Sequence, residues 1–327
     1  MELVQGVPDL RAERRPIVVA MGNFDGVHLG HQAIINTAVQ RAEALGGLSL
    51  ALTFEPHPVR VLRPEPPLPL LTPFPLKVRL LERSGVEQVV CAKFTPAFAE
   101  QSPADFVHKV LVDRLRATEV CVGENFAFGK DRKGRPEMLR ELGRAAGFQV
   151  HVQPPVIVDG QVVSSSAIRQ QIEEGRVEEA ARLLGRPYVL LGEVVSGRGR
   201  GEHLGFPTAN LRPSDQLLPA DGVYGGWVML EAAGRQVKEK VVRYQGAINI
   251  GVRPTFNETE RVVEVHLLDY PGSGALYGQV LEVALVARVR SERRFISAEE
   301  LKTQIAKDVA MIQSRLTGRT NGKRGRS

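Results

Sequence analysis

The pattern of apolar runs changes once along the chain, at Gly185-Arg186-Pro187, and that change limits what the chain can fold into. Before it, apolar strand-like runs at 17–21, 48–54, 87–91, 118–123 and 148–152 alternate with segments of helical spacing. The spacing predicts a helix over 30–45, with Ile34, Ile35, Ala38 and Ala42 on or near one face. Further helices are expected near 75–84, 102–116, 136–145, 165–174 and 176–184. Eight prolines between 56 and 75 predict a stiff excursion without regular structure. After residue 187 the pattern is strands and turns, at 188–196, 223–231, 237–250, 261–268 and 279–290. One helix closes the chain. Ser297 and Glu300 form its capping box, and Leu301, Ile305, Val309, Ile312 and Leu316 form its apolar stripe.

Strands alternating with helices imply a mostly parallel sheet covered on both faces, with ligands at the carboxyl ends of the strands. Strands without intervening helices must pair mostly antiparallel, and closure into a small barrel removes their edges. The expected domains are therefore 1–185 and 186–316, followed by a disordered tail over 317–327. That tail holds Arg319, Lys323, Arg324 and Arg326. The formal net charge of +6 is unevenly placed: residues 1–185 hold 22 basic and 22 acidic side chains, so all the excess follows residue 185. The folded bodies are not expected to bind polyanions, and no specific nucleic-acid partner is expected. The first residues are charged rather than leader-like, and no run approaches the ~20 apolar residues of a membrane span. The only two cysteines, Cys91 and Cys121, sit in short apolar runs and read as reduced, buried strand residues. A cytoplasmic protein without a membrane partner is expected, as a monomer or weak oligomer.

The first strand runs into Gly22-Asn23-Phe24-Asp25-Gly26-Val27-His28-Leu29-Gly30-His31. Its glycines allow close approach of a ligand to backbone, and Gly30-His31 opens a helix whose free N–H groups attract phosphate. His28 and His31, three apart, lie on one side of a helical turn and can donate to phosphate oxygens as charge builds up in a transition state. Gly22, Phe24, Asp25 and Gly30 are the accompanying nucleotide-binding candidates. The second strand ends at His57, either a ligand contact or a satisfied structural histidine. Asn125, past the strand at 118–123, offers both donor and acceptor to a base or sugar. Phe126 and Phe128 either frame a flat ring or pack in the core. Ser164, Ser165 and Ser166 start a helix that presents Arg169 one turn in. Neither a P-loop nor a Gly-x-Gly-x-x-Gly turn is present, so phosphates must be held in another way.

The second half carries Gly197-Arg198-Gly199-Arg200-Gly201, then Gly205-Phe206-Pro207-Thr208-Ala209-Asn210. The glycines, continuing to Gly205 and Pro207, suit either a phosphate-wrapping loop or a plain surface turn, and Arg198 and Arg200 lie within it. Thr208 and Asn210 supply hard oxygen ligands of the kind Mg2+ takes. Residues 261–268 alternate, placing Val263, Val265 and Leu267 on one face and Glu264, His266 and Leu268 on the other. On its open face Glu264 is either solvated or set to accept the proton of a substrate hydroxyl.

The stretch 22–31, with Thr53 to Pro58, Gly123 to Gly129 and Ser164 to Arg169, resembles the adenylyltransferase module of the bacterial bifunctional riboflavin kinase/FAD synthetases. The second half resembles a flavokinase domain through Gly205 to Asn210, Pro219 to Tyr224, Asn249-Ile250-Gly251, Val263 to His266 and Tyr277-Gly278. The resemblance implies a Rossmann-like nucleotidyltransferase domain followed by a six-stranded antiparallel β-barrel with a C-terminal helix. It implies Mg2+ and ATP as cofactor and co-substrate, riboflavin and FMN as substrates, and FAD as final product. His28 and His31 would steady ATP phosphates while FMN attacks the α-phosphorus. Thr208 and Asn210 would hold Mg2+, and Glu264 would be the base for the ribityl 5′-hydroxyl. Two positions depart from the family pattern: Ser166 stands where threonine is usual, and Glu202 where arginine is usual. Both activities are expected to survive. A different adenylyl acceptor, such as a pyridine mononucleotide, fits the first half alone. A non-catalytic flavin sensor is the contrasting class.

Overall fold

The computed structural model of the chain describes residues 1–196, 205–230, 242–254, 259–271 and 276–321. Its contacts separate two compact units, Met1–Ser165 and Ser166–Ser327.

The first unit is built on a six-stranded sheet. Its strands are β1 (Glu2–Gln5), β2 (Ile17–Met21), β3 (Leu48–Glu55), β4 (Gln88–Lys93), β5 (Ala117–Gly123) and β6 (Gln149–Gln153). They lie in the order β1-β4-β3-β2-β5-β6, and every pair is parallel. The order reverses at β2, whose neighbours are β3 and β5, so the crevice for a ligand opens beyond the carboxyl end of β2. Helix α1 (Leu29–Leu45) leaves from that end and returns to β3, burying Ile34, Ile35, Ala38 and Ala42 as its spacing predicts. It stops at Gly46, whose φ of 60° is the left-handed conformation that glycine adopts without penalty.

The proline-rich excursion is less irregular than expected. Pro58–Leu62 forms a short helix, α2, because Pro58 takes a first-turn position where a missing N–H costs nothing. Helix α3 (Phe74–Arg83) follows. A short helix, α4 (Pro96–Ala99), precedes the helical segment expected over 102–116, which is α5 (Pro103–Phe106) and then a π-helical stretch, Val107–Val112. Helix α6 (Pro136–Ala146) precedes β6. A small hairpin, β7 (Ile157–Val158) with β8 (Gln161–Val162), ends the unit, and neither it nor the edge strand β1 was expected. The core beneath the sheet joins Val19, Met21, Leu50, Leu52, Val90, Val120 and Val122 to Phe106, Leu111, Leu139 and Phe148. Cys91 and Cys121 are buried, unpaired strand residues, and burial pushes the Cys121 thiol up to about 12.

The second unit begins one residue into α7 (Ser165–Glu173), continues with α8 (Val177–Leu184), and then becomes a closed barrel. Its strands are β9 (Tyr188–Val195), β10 (Ala209–Pro213), β11 (Gly222–Leu230), β12 (Arg243–Pro254), β13 (Thr259–Leu267) and β14 (Val280–Ser291). They are ordered β10-β13-β12-β11-β14-β9, all antiparallel, with β9 closing on β10. Strand β10 was not expected as a strand, because its residues read as a binding segment. The start of the strand expected at 237–250 lies outside the described residues. Leu190, Leu211, Val228, Ile248, Ile250, Val263, Val265, Leu281, Val283 and Leu285 are fully or almost fully buried.

Helix α8 packs against β14 and β9. The turn between α7 and α8 lies so close to the barrel that a Cβ on Gly175 would come within 2.8 Å of the Tyr224 hydroxyl. Helix α9 (Ala298–Asn321) covers another side of the barrel. The Glu300 N–H donates to Ser297 Oγ, while the Glu300 carboxylate accepts from the Ile296 N–H, the reciprocal bonding of a capping box. Ile312 and Leu316 are buried with Leu268 and Val286. Leu268 therefore faces away from Val263 and Val265, as alternation requires, yet is covered by the helix. The helix continues to Asn321, past the residue where a tail was expected to start.

Candidate functional sites in two units

In the first unit the loop after β2 is a strained turn held from several sides. Phe24 (φ 52°) and Val27 (φ 38°) both take left-handed backbone, which disfavours a β-branched residue, and Gly26 (φ 92°) lies between them. Four side chains hold the turn. The Asp25 carboxylate accepts from the backbone N–H groups of Leu71 (3.3 Å) and Thr72 (3.0 Å). Thr72 Oγ1 accepts from the Gly26 N–H at 3.1 Å, and Gln32 Nε2 donates to the Val27 carbonyl at 2.9 Å. Ser165 Oγ donates to the Asp25 carbonyl at 2.9 Å. Backbone strain of this kind, enforced by surrounding bonds, collects at binding and catalytic sites.

His28 is the N-cap of α1. Its Nδ1 accepts from the His31 N–H at 3.2 Å, so in the neutral ring the proton is on Nε2. The two imidazoles stack with centroids 3.6 Å apart and planes 16° apart. Phe24 is fully buried, and its ring meets His31 edge-on at 5.4 Å, so it supports the histidine rather than displaying a face to solvent. Gly22 lies over that ring, and a Cβ there would come within 3.0 Å of it. A Cβ on Gly30 would stand 3.2 Å from the His28 ring and 3.7 Å from the Val163 carbonyl, so residues 163–165 lie close beside this loop.

The other candidates of this unit divide by environment. His57 is buried and caps α2, with Nδ1 accepting from the Val59 N–H at 3.2 Å. Asn125 is exposed on the turn after β5. Phe128 belongs to the core and Phe126 is half-buried against it, their rings 5.7 Å apart. One residue that sequence reasoning missed is Lys77, 3% exposed on the apolar face of α3 beside Leu76, Leu80 and Leu81. Its Nζ is 3.7 Å from Glu55 Oε2 and donates to the Phe54 carbonyl at 3.4 Å, at the carboxyl end of β3. Burial pushes its pKa down, against the opposing pull of Glu55. A lysine inside an apolar helical stripe was the available signal.

In the second unit β10 and β13 are ladder partners, with Asn210 opposite Glu264. On the other side of β13, Asn249 of β12 is opposite Glu264. Directly opposed residues point to the same face of a sheet, so Asn210, Glu264 and Asn249 form one row across three strands. Val263 and Val265, on the reverse face, are fully buried in the barrel. All three polar residues are half-buried, as is Thr208 just before β10. Asn249, named above only within a family motif and given no site role, flanks Glu264 by register. Gly205 (φ 83°) and Pro207 are described, whereas Gly197, Arg198, Arg200, Gly201 and Glu202 lie outside the described residues. Ser166 and Arg169 are on α7. Among the described residues no three His, Cys, Asp or Glu side chains cluster as a metal site. Thr208 and Asn210 offer neutral oxygens, a donor set that suits Mg2+ shared with phosphates rather than a closed protein cage.

A parallel sheet with a histidine-capped helix start at its switch point is joined in one chain to a closed six-stranded barrel with a polar Asn-Glu-Asn row, a two-module architecture. The family model for FAD synthetase matches residues 10–167, and that for riboflavin kinase matches residues 184–316. A bifunctional riboflavin kinase/FMN adenylyltransferase from Pseudomonas fluorescens is 39% identical over 315 residues, covering 96% of this chain and 97% of that one. Its counterpart from Haemophilus influenzae is 35% identical, covering 94% and 97%. A crystal structure titled as a macrolide-efflux protein from Streptococcus pneumoniae matches with a TM-score of 0.82 at 29% identity, covering 96% of this chain and 99% of that one. The chain belongs to the bifunctional riboflavin kinase/FMN adenylyltransferase family. Among the described residues no helix is long and apolar enough to cross a membrane.

Proposed function

We propose that each unit houses one of two ATP-dependent transfers and that the residues above divide between them. The chain is a bifunctional enzyme that phosphorylates riboflavin to FMN and adenylylates FMN to FAD. The observation that carries the division is that the two candidate sets lie in different compact units: His28 and His31 in the first, Thr208, Asn210 and Glu264 in the second. The catalytic modules are assigned to 1–185 and 186–316, with 317–327 as a basic extension.

For adenylyl transfer, the FMN phosphate attacks the α-phosphorus of ATP and pyrophosphate leaves. The nucleophile is already anionic, so the protein positions it and neutralises charge rather than removing a proton. His28 presents its Nε2–H above the start of α1, where the helix N–H groups also point. His31, stacked on it and propped by Phe24, completes the pair. Gly22 and Gly30 leave room for the Phe24 and His28 rings to pack against the turn. Asp25 shapes the turn through Leu71 and Thr72. Asn125, His57, Ser164 and Ser165 are assigned to nucleotide and flavin-phosphate contacts.

For phosphoryl transfer, Glu264 accepts the proton of the ribityl 5′-hydroxyl as the γ-phosphoryl of ATP moves to that oxygen, releasing ADP. Thr208 and Asn210 would hold Mg2+, which supplies charge neutralisation on the phosphates. The loop from Gly197 through Arg198, Arg200 and Gly201 to Gly205 and Pro207 is assigned to the ATP phosphates. A cytoplasmic setting fits two buried, unpaired cysteines. Monomeric or weakly oligomeric protein is part of the same reading.

The test is a time course of purified protein with riboflavin, ATP and Mg2+, resolved by chromatography. FMN should form first and FAD should follow. Absence of FMN above an enzyme-free control would sink the kinase half, and FMN without FAD the other.

A further inference from the structure

We propose that His266 is a positioning residue for phosphoryl transfer: it ties the segment bearing Thr208 and Asn210 to the strand bearing Glu264. The inference rests on the kinase reading of this unit. His266 is two residues beyond Glu264 on β13, so both side chains leave the same face of the barrel. Its Nδ1 is 2.7 Å from the Pro207 carbonyl oxygen. A carbonyl only accepts, so Nδ1 carries the hydrogen and, in the neutral ring, Nε2 does not. Its ring also meets the Phe206 ring edge-on, at 5.6 Å and 84°.

The bond acts where the ladder stops. The pairing of β10 with β13 runs from Leu211 through Asn210 to Ala209, opposite Val263, Glu264 and Val265. Thr208 lies one residue beyond the last pair, and among the described residues no ladder pair includes it. The Pro207 carbonyl belongs to the peptide plane that also contains the Thr208 nitrogen, and that plane is rigid. Fixing the carbonyl therefore fixes the direction in which the Thr208 chain leaves its nitrogen. Pro207 adds a locked φ and Phe206 an apolar contact, both on the approach to the same plane. His266 thus makes one rigid body of the oxygen-donor segment and the strand of the base, and it does so without touching a reacting atom.

The isosteric pair of substitutions separates this role from bulk packing. An asparagine amide N–H takes the place of Nδ1–H, whereas a glutamine amide N–H takes the place of Nε2–H. In the full-length protein, H266N should keep Mg·ADP affinity, measured by calorimetry, and riboflavin phosphorylation within about threefold of the native chain. H266Q and H266A should lose about tenfold in each, the size of one oriented hydrogen bond. Adenylyl transfer to supplied FMN should be unchanged in all three, and thermal unfolding followed by the fluorescence of Trp227, the barrel's tryptophan, reports that the barrel is folded. The 15N spectrum of the native ring should show the hydrogen on Nδ1. Equal behaviour of H266N and H266Q, an alanine variant as competent as the native chain, or a hydrogen on Nε2 would overturn the proposal. If instead the native chain forms no FMN, the kinase reading itself has failed.

Discussion

His28 has two jobs that one substitution can separate. Its Nδ1 caps α1 through the His31 N–H, and its Nε2–H is the group proposed to donate to ATP phosphate. Asparagine is a good N-cap but has no imidazole. His28→Asn should therefore hold thermal stability close to native while adenylyl transfer falls on the order of 10²-fold, the usual cost of removing one charge-stabilising donor. His28→Ala should lose the same activity and, in addition, about 1 kcal/mol of stability. A fully active His28→Asn enzyme would leave the ring with a capping role alone. Residue chemistry was only partly legible beforehand. The motif exposed His28 and His31, because glycine-rich turns and paired histidines at a helix start are local in sequence. Phe24 and Asp25 share that motif, yet their side chains serve the turn: one is buried under His31, the other is bonded to Leu71 and Thr72. Nothing local could show that, since both partners of Asp25 lie more than forty residues away.

At the scale of elements, helix α9 and the barrel meet through a glycine. A Cβ on Gly225 would come within 2.9 Å of Ile312 Cγ1, so the close approach needs a residue without a side chain. Gly225→Ala should cost roughly 1–3 kcal/mol by overpacking. Ile312→Ala in the same chain should recover part of that loss, so the double mutant should be less destabilised than the two costs added together. Strict additivity in urea unfolding would contradict the contact. A second joint ties α1 to β5 and β6: Arg41 bonds both oxygens of Glu119 at 2.8 and 2.6 Å, and His151 Nε2 is 2.7 Å from the same carboxylate. The Arg41 guanidinium, followed by His151, holds Glu119 below its ordinary value of 4.5. A lowered carboxyl pKa stabilises the fold above the unfolded value and is lost as pH falls through the lower, folded value. The stability gap between the native chain and Glu119→Gln should be about 2 kcal/mol at pH 7 and should shrink below pH 4.5. A gap independent of pH would contradict this account. Helix periodicity made α1, α3, α6 and α9 readable, because each buries one stripe. Strand β10 was not readable, since Thr208-Ala209-Asn210 lacks the alternation of a strand and is paired only because β9 and β13 flank it.

For the whole molecule, the change of pattern anticipated a parallel sheet in the earlier strands and an antiparallel barrel in the later ones, while the contacts divide the chain between Ser165 and Ser166. Sequence could not show that α7 and α8 belong by contact to the barrel unit, because Gly175, Tyr224 and Arg288 meet only in the fold. Nor could it show the row of Asn210, Glu264 and Asn249, whose members come from three strands. The central claim is that the two transfers use separate residue sets in separate units. The most direct measurement is to assay each half-reaction, riboflavin to FMN and supplied FMN to FAD, in full-length Glu264→Gln and His28→Ala proteins. Glu264→Gln should lose at least about a hundredfold in the first reaction and leave the second within about twofold. His28→Ala should show the reverse. Loss of both reactions in either protein, with its fold intact by thermal unfolding, would contradict the account.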